Sequence, residues 1–530
     1  MTSPTLTSPT PASATSATDT SATAVRPAAG AGAARGCPGN LASDLADLAE
    51  RHGWRGRPAF HQDHRVWTHG EVHDLAARCA TVLAHRGVGP GDRVLLALPD
   101  SIAWVATFLA VARLGATAVL VNPELPRADH AFMAEDAGIG LAVTGPGLEN
   151  RFGPERRLSS DQLLALACTA APADARPAGA DTPLYVQYTS GTTGRPKGVV
   201  HHHGDPEAYY EFIGRRLLRV GPDDVTLSVS KLYFAYGFGN AFVFPLFSGS
   251  SAVLVDRRPT PAAVDELVAR HRVTLLYSVP TAYAALVADR ADGHAACFAS
   301  VRAAVSAGER LPAGLGERVT ELLGAPVLEQ IGSTEVGHAF CANGLSHNTP
   351  GTVGRPVPGY EVQVRDGAGR PVPDGEEGEL WVKGPTVACG YLNLPEDTSR
   401  SSGGWLATRD RARREPDGTY RHLGRADDME MVGGVTVSPL EIEGVLRTHP
   451  AVREVAVAAV TDEGGASRLR AFVVLAAPVP DDDPLEAALL ALVRERLAPF
   501  KVPRSVQVVR ALPRTPTGKL RRHVVRHGSW

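Results

Sequence analysis

Short apolar runs recur along this chain, each trailed by a stretch whose apolar residues fall at helical spacing. A run at 93–98 is followed by a helical pattern at 101–114, with Ser101 placed to cap it, and then by a second run at 117–121. Further runs at 225–228, 252–255, 275–278, 302–306 and 327–328 keep the rhythm. Strands joined through helices return parallel to one another, so this alternation predicts a layered α/β fold with mostly parallel sheets. A helix at 41–51, a short strand at 66–67 and a helix at 71–86 precede the series. From Gly351 the texture changes to short alternating strands with Pro and Gly turns, as at 361–364 and 379–382, and a small β-rich subdomain is expected. Past a charged turn at 424–428 come a helix at 441–447, strands at 452–460 and 469–475, a helix at 484–497 and a basic tail.

At 530 residues the chain is too long for one core. The expected division is a leader at 1–38, a large N-terminal domain at 39–425 and a small α+β C-terminal domain at 426–530. The leader is almost wholly Thr, Ser, Pro, Ala and Gly and cannot bury enough surface to order itself, although a plastid-type transit peptide shares its bias. Over the whole chain 54 basic residues nearly balance 57 acidic ones, which argues against nucleic acid or a membrane surface as partner. The stretch 102–121 is apolar enough to raise a membrane question, but Arg113 and Gly115 divide it into helix and strand halves. Six scattered cysteines without CxxC spacing suggest a reducing, cytoplasmic setting.

Between two apolar runs lies a string of hydroxyls and glycines ending in a cation: Thr189, Ser190, Gly191, Thr192, Thr193, Gly194 and Lys197. Glycines let backbone N–H groups approach an anion, hydroxyls add neutral donors, and the lysine adds a point charge suited to polyphosphate. The spacing is not that of the common P-loop. Four other strings are weak alone, each readable as a charged surface turn or solvated tail. They are Gly332-Ser333-Thr334-Glu335, Thr408-Arg409-Asp410, Gly424-Arg425-Ala426-Asp427-Asp428 and Pro513-Arg514-Thr515-Pro516-Thr517-Gly518-Lys519. Three consecutive histidines, 201–203, invite a metal reading, but neighbours on an extended chain point opposite ways.

In this order and at these separations, the five strings resemble those of the acyl-adenylate-forming superfamily. The resemblance implies ATP, Mg²⁺ and a thiol acceptor, coenzyme A or the phosphopantetheine of an acyl carrier protein. It implies that Glu335 holds Mg²⁺, Thr334 donates to the α-phosphate and Lys519 enters the active site as the catalytic lysine. Ribose would meet Asp410 and Arg425. The nucleotide would also lie along Gly308, Glu309, Glu329, Gln330, Ile331, Gly332 and Ser333, with Gly308 permitting close approach of adenine. Asp427 would be the hinge of a swinging C-terminal domain, and Gly433 and Gly434 would face the thiol arm. Two positions depart from the pattern: Arg409 stands where the family has glycine, and Met431 where a basic residue is usual.

The block 231–240 carries aromatics and glycines but no carboxylate to pair with an amino group, so an α-amino acid is disfavoured and a flat, uncharged ring fits. This block, with 199–203, 258–261 and 279–281, is similar to benzoate-CoA ligases. That implies an aryl-acid pocket from Phe234, Ala235, Tyr236, Gly237, Ala307, Ile331 and His338, the last at the distal side of the ring. The activity so implied is a benzoate or substituted benzoate made into its CoA thioester, or loaded onto a carrier protein. A non-catalytic binder of nucleotide or acid is the alternative that Arg409 and Met431 favour. Lys519→Ala is expected to abolish aryl-acid-dependent ATP–pyrophosphate exchange while sparing thioester formation from supplied aryl-adenylate. Equal loss of both half-reactions refutes the assigned role.

Overall fold

The computed structural model describes residues 39–530 except 190–195, 289–295, 389, 395–400, 426–427, 433–434, 462–466, 479–483, 498, 515–519 and 528–529. Two large sheets dominate. The first has six strands in the order Arg157–Ser159, Leu141–Thr144, Arg93–Ala97, Thr117–Leu120, Pro183–Thr189 and Lys197–His202. All neighbours are parallel except the last pair, a hairpin. The second has nine strands, with a parallel centre running from Pro58–Gln62 through Ser251–Leu254, Val225–Ser228, Leu275–Ser278 and Ala303–Ser306 to Val327–Gly332. Antiparallel strands close both its ends. The expected α/β class with largely parallel sheets is what the chain adopts.

Crossover helices supply the core between these sheets. In the helix Ile102–Arg113, Ser101 caps the start by accepting the Trp104 N–H, and every residue but the terminal arginine is buried. Trp104 stacks on Phe108 at 5.4 Å, and Phe108 meets Phe238 and Phe242 edge-on at 5.2 and 5.0 Å. Each fully buried aromatic contributes about 1.5–3 kcal/mol relative to leaving it in water. The stretch 102–121 is thus a buried helix and strand, and no helix among the described residues is long and apolar enough to cross a membrane.

Antiparallel strands Glu361–Arg365, Glu377–Lys383, Trp405–Arg414 and Tyr420–Arg425 build the β-rich part, with Ser401–Ser402 at its edge. The C-terminal portion pairs Val452–Thr461 with Ser467–Leu475 and adds Ser505–Val508 in parallel. Its helices Pro439–Leu446 and Leu485–Arg496 pack on that sheet around Ile442, Leu446, Val455, Leu489 and Val493. Glu443, wholly buried there, takes two hydrogen bonds from the Arg522 guanidinium at 2.8 and 3.0 Å. Burial alone raises that carboxyl, but the charge and hydrogen bonds of Arg522 hold it below the usual range.

One expectation is corrected and one strand was not foreseen. The run at 327–328 is not a strand ending near Leu328: it continues to Gly332, because the returning chain Ala339–Ala342 pairs with its far half. The strand Pro58–Gln62 had no alternating signature, and parallel pairing with the distant Ser251–Leu254 stabilises it instead.

Candidate active site

The string 189–197 joins the antiparallel strands Pro183–Thr189 and Lys197–His202, with Thr189 opposite Lys197. Ser190, Gly191, Thr192, Thr193 and Gly194 lie outside the described residues, as do Asp427, Gly433, Gly434 and Lys519. Lys197 is half-buried, its ammonium 5.0 Å from the Tyr391 ring centre. Tyr391 is anchored to the same strand: it bridges Val199, and the Leu392 N–H bonds the Gly198 carbonyl at 2.7 Å.

Opposite this edge strand the chain turns sharply after Gly332. A Cβ at Gly332 would stand 2.5 Å from the His338 carbonyl oxygen, so only glycine lets the two arms of the turn meet. Within the turn the Gly337 N–H bonds the Ser333 carbonyl at 3.0 Å. Three successive carbonyls are held from outside. Thr334 accepts from His201 Nε2 at 2.7 Å, Glu335 from the Ala388 N–H at 2.8 Å, and Val336 from the Thr386 hydroxyl at 2.7 Å. The Tyr391 hydroxyl donates to Glu335 Oε1 at 2.9 Å. A half-buried carboxylate with one oxygen so fixed is a hard oxygen donor, and the site fits Mg²⁺.

Asp410 is buried on Trp405–Arg414, with Arg425 directly across the strand pair. His422 Nε2 lies 3.1 Å from its Oδ1, and an Arg425 guanidinium nitrogen lies 3.9 Å away. Burial raises its carboxyl, but His422 and Arg425 together hold it below the ordinary carboxylate range. It remains an anion able to accept two hydroxyl hydrogens. Arg409 has φ of +63°, the left-handed conformation that glycine adopts freely. The departure at this position therefore leaves the backbone shape intact and substitutes strain for permissiveness.

The parallel strand Ala303–Ser306 ends at buried Ala307 and exposed Gly308, whose φ is +87°. Glu309 is half-buried beside it. Next to this strand end, Glu329 and Gln330 are buried and Ile331 is half-buried. Burial pushes the Glu329 carboxyl up to about 7, against the pull of the Gly351 N–H at 3.0 Å and of Arg310.

Tyr236 ties the aromatic block to the same strand by donating to the Val305 carbonyl at 3.0 Å. Phe234, Ala235 and Tyr236 are half-buried, while a Cβ on Gly237 would meet the Lys231 carbonyl oxygen at 2.2 Å. Not all of 231–240 faces a ligand. Lys231 turns its ammonium to the carbonyls of Val255 and Arg257, near buried Asp100, and Leu232 and Phe238 belong to the core. The reason is that a buried ammonium requires acceptors, and the neighbouring strand end supplies them. His338 is buried between Phe244 at 5.2 Å and Tyr236 at 6.2 Å, and its imidazole covers the Cα of Gly239. Neither of its ring nitrogens has a hydrogen-bond partner among the described residues, nor does the Asn240 side chain. Desolvation lowers the imidazole to about 3, so it is neutral near pH 7 and offers one donor and one acceptor.

The histidines 201–203 do not gather a metal, and no cluster of three metal-ligating side chains occurs among the described residues. His201 bonds Thr334, and His203 accepts the Leu41 N–H at 3.1 Å. Sequence reasoning missed Tyr391, His422 and the role of His201. The first two stand in stretches without a recognisable pattern.

A half-buried lysine on a sheet edge, a turn bearing a half-buried carboxylate and a buried carboxylate paired with histidine and arginine are the polar groups of this site. The family model described as AMP-binding enzyme matches residues 47–392, and the AMP-binding enzyme C-terminal domain matches 441–519; the chain belongs to this family. A p-hydroxybenzoic acid–AMP ligase of Mycobacterium tuberculosis is 44% identical over 492 residues, 93% of this chain and 69% of that protein. A benzoate–CoA ligase of Thauera aromatica is 36% identical across 92% of this chain and 95% of its own. Among solved structures, a benzoate CoA ligase from Burkholderia xenovorans superposes with a TM-score of 0.85 at 37% identity, covering 92% of this chain and all of that one. An anthranilate CoA ligase in complex with anthranoyl-AMP gives 0.84 at 31% identity, covering 92% and 98%.

Strain at Arg409 is measurable by comparing two variants that both lose the guanidinium. Arg409→Gly is expected to be more stable than Arg409→Val by about 1–2 kcal/mol in urea denaturation, the cost of a left-handed residue with a side chain. Equal stability contradicts the left-handed assignment.

Proposed function

We propose that this chain activates a hydroxylated benzoate, 4-hydroxybenzoate foremost, with ATP and passes the aryl group to a thiol in the cytoplasm. In the first step a carboxylate oxygen attacks the α-phosphorus, the bond to pyrophosphate breaks, and an aryl-adenylate forms. A thiol then attacks the aryl carbonyl carbon, the bond to AMP breaks, and the thiol proton passes to solvent. Both reactants of the first step are anions, so catalysis consists of alignment and charge neutralisation. The hairpin 189–194 with Lys197 would cradle the phosphates, Thr334 would donate to the α-phosphate, and Lys519 would complete the cationic surround. Mg²⁺ on Glu335 would neutralise phosphate charge. Asp410 and Arg425 would hold ribose, and Gly308, Glu309 and 329–333 would line the adenine side. Phe234, Ala235, Tyr236, Gly237, Ala307 and Ile331 would enclose the ring. Asp427 would be the hinge, and Gly433 and Gly434 would flank the thiol arm.

The observation that carries the ring hydroxyl is His338. A buried imidazole with both nitrogens unpartnered among the described residues is costly, and a phenolic hydroxyl at the distal end of the ring would satisfy it. The name of the 44%-identical relative supports the same acid. Coenzyme A is the acceptor we assign, in line with the CoA ligases at 36–37% identity. Carrier-protein phosphopantetheine is the second reading. It is favoured because the more similar relative is named for joining its acid to AMP rather than to CoA. Product formation from ATP, 4-hydroxybenzoate and either acceptor separates the two.

His338→Phe is expected to reduce the preference for 4-hydroxybenzoate over benzoate, read as the ratio of kcat/KM in pyrophosphate exchange. Loss of one hydrogen bond worth about 1–3 kcal/mol corresponds to a roughly 5- to 150-fold fall. An unchanged ratio, or a wild-type protein that prefers benzoate, contradicts the hydroxyl assignment.

A further inference from the structure

His201 sits wholly buried on the edge strand Lys197–His202, four residues beyond Lys197 and so on the same strand face. Its ring stacks on Tyr185 at 4.9 Å. Nε2 reaches across to the second sheet and lies 2.7 Å from the Thr334 carbonyl oxygen, which can only accept. Nε2 therefore carries a proton. Nδ1 lies 3.1 Å from Asp205 Oδ2 and 3.2 Å from the Tyr209 hydroxyl, which in turn bonds the Tyr185 hydroxyl at 3.0 Å. Asp205 is buried, and its Oδ2 also accepts the His202 N–H at 3.0 Å. Burial raises the Asp205 carboxyl, but the hydrogen bonds from His201 and His202 hold it down to about 2, so it is a carboxylate. The Tyr209 hydroxyl also caps the turn from behind, where a Cβ on Gly337 would come within 1.9 Å of it.

We infer that His201, oriented by Asp205, is a positioning residue for adenylation. It fixes the separation between the edge strand that bears Lys197 and the Thr334–Glu335 turn. The other two carbonyls of that turn are held by Ala388 and Thr386, which belong to the loop that follows the strand Glu377–Lys383. His201 alone among the three donors stands on the strand that carries Lys197. A carbonyl pinned from that strand makes the placement of hydroxyl, carboxylate and lysine one rigid unit, where an error of about 1 Å can cost about 100-fold in rate.

This inference rests on the adenylation proposed above, and the experiment separates the two. Wild type, His201→Leu, His201→Gln and Asp205→Asn are compared in ATP–pyrophosphate exchange with 4-hydroxybenzoate. Thioester formation from supplied aryl-adenylate and thermal melting are measured in parallel. His201→Leu is expected to lower exchange kcat about 100-fold, with the aryl-acid KM within about 2-fold and the second half-reaction retained. His201→Gln, which keeps a donor for the Thr334 carbonyl, is expected to recover at least about 10-fold of that loss. The inference is overturned by a folded His201→Leu exchanging within about 3-fold of wild type, by equal loss in both half-reactions, or by a glutamine variant no better than leucine. Should His201→Leu not fold, Asp205→Asn decides: about a 10-fold fall in exchange alone supports the positioning role, and no fall overturns it. A wild type inactive in exchange with every aryl acid sinks the functional reading instead.

Discussion

The edge strand Lys197–His202 ties the six-stranded sheet to the turn that follows Val327–Gly332 on the nine-stranded one. Lys197–His202 is the last strand of the six-stranded sheet, and among the described residues its outer edge meets only the bridge to Tyr391. Tyr391 and Leu392 attach there through the bridge to Val199 and the bond to Gly198, and His201 reaches from it to the turn after Val327–Gly332. An acid and a triphosphate repel each other by about 4 kcal/mol per charge pair at about 4 Å in a protein-like dielectric. Overcoming that repulsion requires several donors and cations at fixed separations. A rigid edge strand facing a tight turn supplies fixed separations without a dedicated scaffold.

The turn itself shows how sequence chemistry becomes geometry. Gly332 and Gly337 leave room for the His338 carbonyl and the Tyr209 hydroxyl, and three carbonyls between them find donors from two distant segments, His201 on the edge strand and Thr386 and Ala388 in one loop. The carbonyls of this turn are thereby paired, while the side chains of Thr334 and Glu335 stay half-buried. A few ångströms behind, His338 does the opposite: its ring is sheltered and its nitrogens are left without protein partners among the described residues.

Much of this was legible in the sequence where the signal was periodic. Apolar runs with intervening helical spacing gave the parallel sheets, and Ser101 marked the start of the helix 102–113 in the position it occupies. The turn after Gly332 was legible because glycine, hydroxyl and carboxylate lie adjacent at 332–335, whereas Asp410, with Arg409 beside it, stood out only through the family resemblance. What stayed hidden depended on contacts between distant segments. Pro58–Gln62 has two buried residues and becomes a strand only beside Ser251–Leu254. Tyr391 and His422 act on Glu335 and Asp410 from 56 and 12 residues away. His201 was set aside because neighbouring histidines alternate in direction. Alternation sets His202 apart from the other two, and His203, just past the strand end, turns to Leu41 while His201 reaches Thr334. Arg409 looked like a lost glycine, yet the backbone keeps the glycine-like conformation.

Following the carboxylate oxygens through one complete turnover tests the account most directly. With an aryl acid labelled with ¹⁸O in both carboxylate positions, direct attack on the α-phosphorus delivers one labelled oxygen to AMP and leaves the other in the thioester carbonyl. AMP without label, or label in pyrophosphate, would contradict it.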